Sequence, residues 1–333
     1  MRSIDIHAHV VPQAMWSTTA GGGEWYGVRH EPAGGGLGFT ISQGRKSRIA
    51  TPKVRFTPAE RMADMDAQGV DMQVVSIHTP LMGYHLPTAE ARQLARDVND
   101  EISGMVKQWP KRFAGLATLP VQDPDAAVAE LDRAVHQLGL KGAELDTVVN
   151  DENWDEPRFL PIFKAAESMG AVLFFHPQPQ QNLVMRFTDR YNLANSLGVI
   201  VEDTIVAATL IYGGILDACP DLKVCIAHGA GPACFGMGRM DHGWKVRAEA
   251  REHIHRPPST YQRRLYYDTV VGSEAALRFL LDTVGADRVV LGSDWPFVPW
   301  DPSPPGWVQG CKSLTQEEKD KILWKNLESL LGL

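Results

Sequence analysis

A chain of 333 residues with 44% hydrophobic and 22% charged side chains is long enough for one large domain or two ordinary ones. That balance is the composition of a globular protein with a sizeable core. A net charge of -7 argues against nucleic acid or an anionic membrane as a partner. No apolar run approaches a membrane span and no signal-peptide pattern precedes the first strand, so the expected location is cytoplasmic. The cysteines Cys219, Cys225, Cys234 and Cys311 form no Cys-x-x-Cys pair, and buried, reduced thiols are expected.

In residues 3–9, Ile4, Ile6 and Ala8 alternate with Asp5, His7 and His9, which reads as a strand. Side chains two apart on a strand point the same way, so His7 and His9 can grip one metal ion. An isolated His-x-His is more often a satisfied or surface pair, and only further signals lift it above that. Residues 10–57 are glycine-rich and irregular, with a basic patch at Arg45-Lys46-Ser47-Arg48. So long a segment predicts an inserted lid or flap, with a small hairpin as one form it can take. Trp16, Trp25, Tyr26 and Phe39 argue against disorder there.

From Thr57 a regular rhythm begins. Thr57-Pro58-Ala59-Glu60 predicts a capped helix that ends at Gly69. Strands are expected at 72–77, 113–118, 142–145, 171–175, 222–227, 265–268 and 289–292. Helices are expected at 89–108, 123–138, 158–169, 193–218, 235–250, 274–284 and 316–331. With the first strand this makes eight strands, most of them followed by a helix. Alternation of that kind implies a parallel sheet, and eight units match a (β/α)8 barrel of roughly 250 residues plus an insertion. A doubly wound open sheet is the rival, weakened because no Gly-x-Gly-x-x-Gly follows a strand. One domain, 1–333, is expected.

Catalytic groups in such a barrel project from the C-terminal ends of the strands. The polar residues there are His7 and His9 on the first strand, His176 on the fifth, His228 on the sixth and Asp294 on the eighth. Three histidines and an aspartate suit one borderline divalent cation, zinc first and manganese second, with room for a water. One histidine is then left over to move protons.

Ile4-Asp5-Ile6-His7-Ala8-His9, Phe174-Phe175-His176-Pro177, Ala227-His228-Gly229 and Leu291-Gly292-Ser293-Asp294-Trp295-Pro296-Phe297 resemble, in that order, the amidohydrolase superfamily. More narrowly they resemble the branch containing aminocarboxymuconate semialdehyde decarboxylase (ACMSD) and related aromatic-acid decarboxylases. The similarity runs from Ser3 to the end and includes the stretches 61–70, 110–120 and 287–294. The resemblance implies that His7, His9, His176 and Asp294 are metal ligands. It makes His228 the acid/base that activates a metal-bound water, and gives Asp294 a second role with a proton. It also implies that Arg48, on the long first loop, and Arg239, reaching in from the neighbouring subunit of a homodimer, hold substrate carboxylates. A planar guanidinium fork suits that task.

Two departures matter. The superfamily's binuclear members carry a carbamylated lysine at the end of the fourth strand, whereas here Lys141 stands at the strand's start and Glu144 and Asp146 at its end. One metal is therefore expected, and either carboxylate is open to line the pocket or to cap a loop. The ACMSD pattern has a tryptophan and an aspartate after His-Pro, where this chain has Gln178-Pro179-Gln180-Gln181. Trp295, Phe297 and Tyr84 are candidates for an apolar wall, and His85 is the one further histidine to watch. The leading expectation is a metal-dependent, non-oxidative decarboxylase of an unsaturated or aromatic carboxylic acid. The alternative is a hydrolase of a lactone, amide or cyclic imide on the same metal-bound water. A non-catalytic metal-binding or scaffold protein is a third reading, disfavoured by five intact site residues.

Overall fold

The computed structural model describes residues 2–33, 37–178, 191–298 and 300–333. After β1 (Ile4–Val10) come helix α1 (Gln13–Thr19) and three short strands, β2 (Arg29–Glu31), β3 (Phe39–Ser42) and β4 (Arg45–Arg48). These three pair antiparallel in the order β2-β3-β4, with Thr40 opposite Ser47. Gly34, Gly35 and Gly36 lie outside the described residues.

Helix α2 (Pro58–Gln68) starts as its sequence dictates. The Thr57 side chain accepts the Glu60 N–H, the Glu60 carboxylate accepts the Thr57 N–H, and Gly69 ends the helix at φ 71°. Strand β5 (Met72–Ile77), helix α3 (Thr88–Gln108), β6 (Phe113–Gly115), α4 (Pro124–His136), β7 (Gly142–Leu145) and α5 (Leu160–Met169) follow. The second half holds β8 (Val172–Phe175), α6 (Val199–Tyr212), α7 (Ile215–Ala218), β9 (Lys223–Ile226), α8 (Ala233–Val246), β10 (Leu265–Asp268), α9 (Glu274–Val284) and β11 (Val289–Val290).

These strands pair parallel in two runs, β1-β5-β6 and β11-β10-β9-β8-β7. Two seams join the runs into a ring. Ala117 bridges to Ala143 between β6 and β7. The Ile6 and His9 N–H groups donate to Leu291 O at 3.0 Å and Trp295 O at 2.8 Å, joining β1 to the end of β11. The result is the closed (β/α)8 barrel expected from the rhythm of the sequence. Regular pairing stops earlier than expected on two strands because side chains take over from the ladder. The Thr118 N–H donates to Asn99 Oδ1 at 2.9 Å, and the Gly292 N–H donates to Thr269 Oγ1 at 3.0 Å.

Strand β1 holds the feature that positions the site. Asp5 pairs with Gln73 but Ala8 with Val75, so β1 carries one extra residue between them. Such a bulge re-aims the side chains beyond it. Ile4 and Ile6 pack with Val74, Leu116, Phe174 and Val290 in the lower core, while His7 and His9 stand above them with rings 5.1 Å apart. The Asp5 carboxylate pins the bulge by accepting the N–H groups of His7 and Ser293, both at 3.0 Å, and the Ser293 hydroxyl at 2.6 Å.

Ala194–Tyr212 is long and apolar enough to cross a membrane by length and composition, which the expectation of no such run did not anticipate. It includes α6, and buried Glu202 and Asp203 lie within it. Asp203 is tied into the barrel mouth, as described next. All four cysteines are buried and unbridged, as expected.

Candidate active site

His7 and His9 at the bulge of β1, His176 one residue beyond β8, and Asp294 four residues beyond β11 converge at the barrel mouth. One ligand atom from each lies within 4.8 Å of all the others, and all four residues are buried. Asp294 reaches inward from a left-handed backbone position, φ 55°. Its Oδ1 sits 3.4 Å from His7 Nε2 and 3.2 Å from His9 Nε2.

Those two nitrogens and both nitrogens of His176 are buried without a hydrogen-bond partner. Orphaned buried polar atoms are costly, and several aimed at one point mark a place for a cation. The charges agree. Burial would raise the Asp294 carboxyl, but His7 and His9 hold it well below the usual range. Burial, then the imidazoles of His7, His9 and His228, pushes His176 well down, so it offers a neutral ring. His7 is held up against burial by Asp294 and Asp268, so the carboxylates call for a positive charge where a metal would sit. The four residues therefore fit one divalent metal ion.

Two supporting carboxylates were not singled out in the sequence. Asp268 ends β10, and its Oδ2 lies 2.6 Å from His7 Nδ1, which turns His7 Nε2 inward. Only glycine fits beside it, since a Cβ on Gly292 would lie 2.8 Å from the Asp268 Cβ. The rule that selected His176, a polar residue closing an apolar strand, also selects Asp268. Asp203 lies mid-helix on α6, and its Oδ2 is 2.9 Å from His228 Nδ1. Its sequence signal is fainter: two adjacent acids, Glu202-Asp203, in an otherwise apolar helix. We expect Asp268→Asn to weaken metal affinity about 10–100-fold, read by competition with a chelator, while the fold survives.

His228 follows β9 at φ 51°, its ring 5.3 Å from His7 and 5.1 Å from His176. With Nδ1 committed to Asp203, Nε2 is the nitrogen left for a ligand. Burial lowers its pKa, but the Asp203 carboxylate more than offsets that and raises it. A cavity of about 450 Å³ opens over these groups, lined by His9, His176, His228 and Asp294 below and by Thr40, Ser47 and Arg48 of the antiparallel sheet above.

Arg48 thus lines the cavity from β4. Arg239, on the exposed side of α8, is not among the described residues that line it. Of the expected apolar wall, Phe297 alone lines this cavity. Trp295 is drawn away, because its indole N–H donates to Asp64 Oδ2 at 2.7 Å and its face stacks on Arg61. Tyr84 is buried with its hydroxyl accepting the Asp146 N–H. Asp146 is itself occupied, accepting the N–H groups of Thr147 at 2.7 Å and Gln178 at 3.3 Å, and burial raises it to about 7. Glu144 is wholly buried with Oε1 3.6 Å from His9 Nδ1. Lys141 points the other way, its Nζ donating to Gly332 O. His85 Nδ1 accepts the Gln43 side-chain amide at 3.0 Å, which ties the β3–β4 turn to the loop after β5. Gln178 lines the cavity, while Pro179, Gln180 and Gln181 lie outside the described residues.

Comparison with known proteins agrees with this geometry. The amidohydrolase family model matches residues 4–333. A 2-amino-3-carboxymuconate-6-semialdehyde decarboxylase from Dictyostelium discoideum is 32% identical over 99% of this chain and 91% of its own length. A gamma-resorcylate decarboxylase from Polaromonas is 27% identical over 82% of this chain and 86% of its own. The crystal structure of 5-carboxyvanillate decarboxylase from Sphingomonas paucimobilis superposes with a TM-score of 0.82 at 26% identity, covering 100% of this chain and 99% of that one.

Proposed function

This chain belongs to the amidohydrolase family, and we propose that within it the protein is a metal-dependent, non-oxidative decarboxylase of an unsaturated or aromatic carboxylic acid. The observation that carries the reading is the pairing of a buried cation site, built from three histidines and an aspartate, with a separate histidine–aspartate dyad facing the same cavity. Relatives that act as decarboxylases on such acids, aligned over most of the chain, support it.

His7, His9, His176 and Asp294 would hold the cation, zinc on the donor set and manganese as the alternative. When bound, it withdraws charge from the acid and fixes the acid's orientation. His228, kept protonated by Asp203, delivers its Nε2 proton to the carbon that bears the carboxylate. That carbon becomes tetrahedral. Its bond to the carboxylate then breaks, the electron pair returns to the conjugated system, and carbon dioxide leaves. His228 regains its proton from solvent. Asp294 is both ligand and second proton-handling group, and Phe297 packs on the ring of the acid.

Arg48 holds a further acidic or polar group of the substrate from above, and Arg239 reaches the site of a second copy in a homodimer. The dimer has its own test. Arg239→Ala and His228→Ala chains, each nearly inactive alone, are mixed under conditions that exchange subunits. If Arg239 acts in trans, about a quarter of the parent's specific activity returns. If the mixture stays inactive, Arg239 works within its own chain; an Arg239→Ala chain that is active alone would take Arg239 out of the site.

The reaction itself is tested with the metal-replete enzyme and a panel of hydroxybenzoates, picolinates and muconate-type acids beside lactones, amides and cyclic imides. Release of carbon dioxide from an acid supports the reading. Turnover of a lactone, amide or imide with none of any acid would make the protein a hydrolase on the same site.

A further inference from the structure

A second cavity, of about 350 Å³, lies between helices α2 and α3, bounded by Gln13 at the start of α1 and by Val10 and Val11 around the end of β1. His9, Val11 and Val54 line both cavities, so the two stand back to back. The helices of a barrel surround its strands, which puts this space outside the ring that holds the metal group. The reaction at the barrel mouth makes no use of it.

Arg61, on α2, lines this cavity and is only 3% exposed. Its Nε donates to Gln73 Oε1 at 2.7 Å and its Nη1 to His9 O at 2.9 Å. The guanidinium also stacks on Trp295, 3.9 Å from the ring centroid. Nη2 is buried with no hydrogen-bond partner among the described residues. A buried donor left unpaired is costly, more so on a charged group. Asp5 and Asp64 lie near, yet burial still pulls Arg61 down to about 9, so the guanidinium is short of negative charge.

The other charged groups on the cavity are already committed. Lys53 gives its ammonium to both oxygens of Asp64, at 2.7 and 2.9 Å. The Glu101 carboxylate accepts the N–H groups of Gln13 at 2.7 Å and Ala14 at 3.5 Å. Burial raises Glu101 toward its neutral form, which lessens its opposition to an incoming anion. Phe56, Ile102, Met105 and Trp109 supply apolar wall.

We propose that this cavity is a second ligand site, which takes a small carboxylic acid with an aromatic or aliphatic body. Its carboxylate pairs with Arg61 and its body lies against Phe56, Ile102, Met105 and Trp109. A guanidinium fork with a nitrogen to spare suits a carboxylate, and the volume is that of a small-molecule site. Neither the site nor its test depends on which reaction runs at the barrel mouth.

The probes are 3-(4-bromophenyl)propanoate and the matching alcohol, 3-(4-bromophenyl)propan-1-ol. Binding to the metal-loaded enzyme is measured by calorimetry, and the anomalous signal of bromine in soaked crystals places the ring. Arg61→Met removes the guanidinium. Met105→Trp fills the cavity from α3 and serves if Arg61→Met does not fold. Bromine should appear between α2 and α3, with the acid bound there at least about tenfold tighter than the alcohol. Arg61→Met should erase that preference, and Met105→Trp should remove the bromine from this cavity. Bromine at the barrel mouth alone, an acid bound no tighter than the alcohol, or acid binding unchanged in Met105→Trp would overturn the proposal.

Discussion

His228→Ala is expected to lower kcat by about 10²–10⁴-fold, the contribution of a positioned general acid, while metal content and melting temperature stay near those of the parent. The separation follows from the geometry. His228 sits against the ligand set, but its side-chain partner is Asp203 on α6, so its loss opens no gap among the four ligands. Asp203→Asn gives the companion result. The carboxylate raises His228, so its removal lowers that pKa and the proton is lost at lower pH. Because the protonated form is the active acid, the alkaline limb of the pH–rate profile should move to lower pH in Asp203→Asn. A limb that stays in place would take His228 out of the proton-donor role. Loss of metal in His228→Ala would place it among the ligands instead.

Stripping the metal with a chelator is expected to abolish turnover, and restoring a divalent cation to recover it. His176→Ala should do the first and resist the second. The reason is the charge arithmetic of the site. With the cation gone, three imidazoles and Asp294 remain buried, with orphaned nitrogens on each histidine. Removing His176 takes one of three nitrogen donors from a site that needs all of them to hold the ion against water. Thermal melting gives an independent readout. An ion bound only by the folded chain stabilises it by mass action, so the parent should melt higher with metal than without, and His176→Ala should show little difference. Equal melting with and without metal in the parent would mean that these four residues do not form the site.

Much of this architecture is legible in the residues. Most of the eight strands show because they are short apolar runs followed by a helix, and the first because Ile4, Ile6 and Ala8 alternate with Asp5, His7 and His9. The ligand set shows because polar residues close those runs: His176 after Phe174-Phe175, His228 after Ile226-Ala227, and Asp294 after Gly292-Ser293. The same rule, pressed further, reaches Asp268 after Tyr266-Tyr267. What the rule cannot reach is a partner from another layer. Asp203 comes from a helix, and its meaning depends on a packing contact with no local signature. Nor does a simple alternation reveal the bulge in β1, because the residues read the same with or without it. Only the pairing register shows that Ile6 faces the lower core while His7 and His9 face the metal group. Trp295 shows a third limit. It follows Asp294 directly, yet a hydrogen bond to Asp64 on α2 turns it away from the cavity.

The most direct test is the mass of the product formed by the metal-loaded enzyme in heavy water from an acid that it turns over. Decarboxylation with His228 as acid predicts a product lighter by carbon dioxide that carries one solvent deuterium on the vacated carbon. A product heavier by water, with the carboxylate retained, would contradict the account and leave the same metal site to a water-adding or hydrolytic reaction.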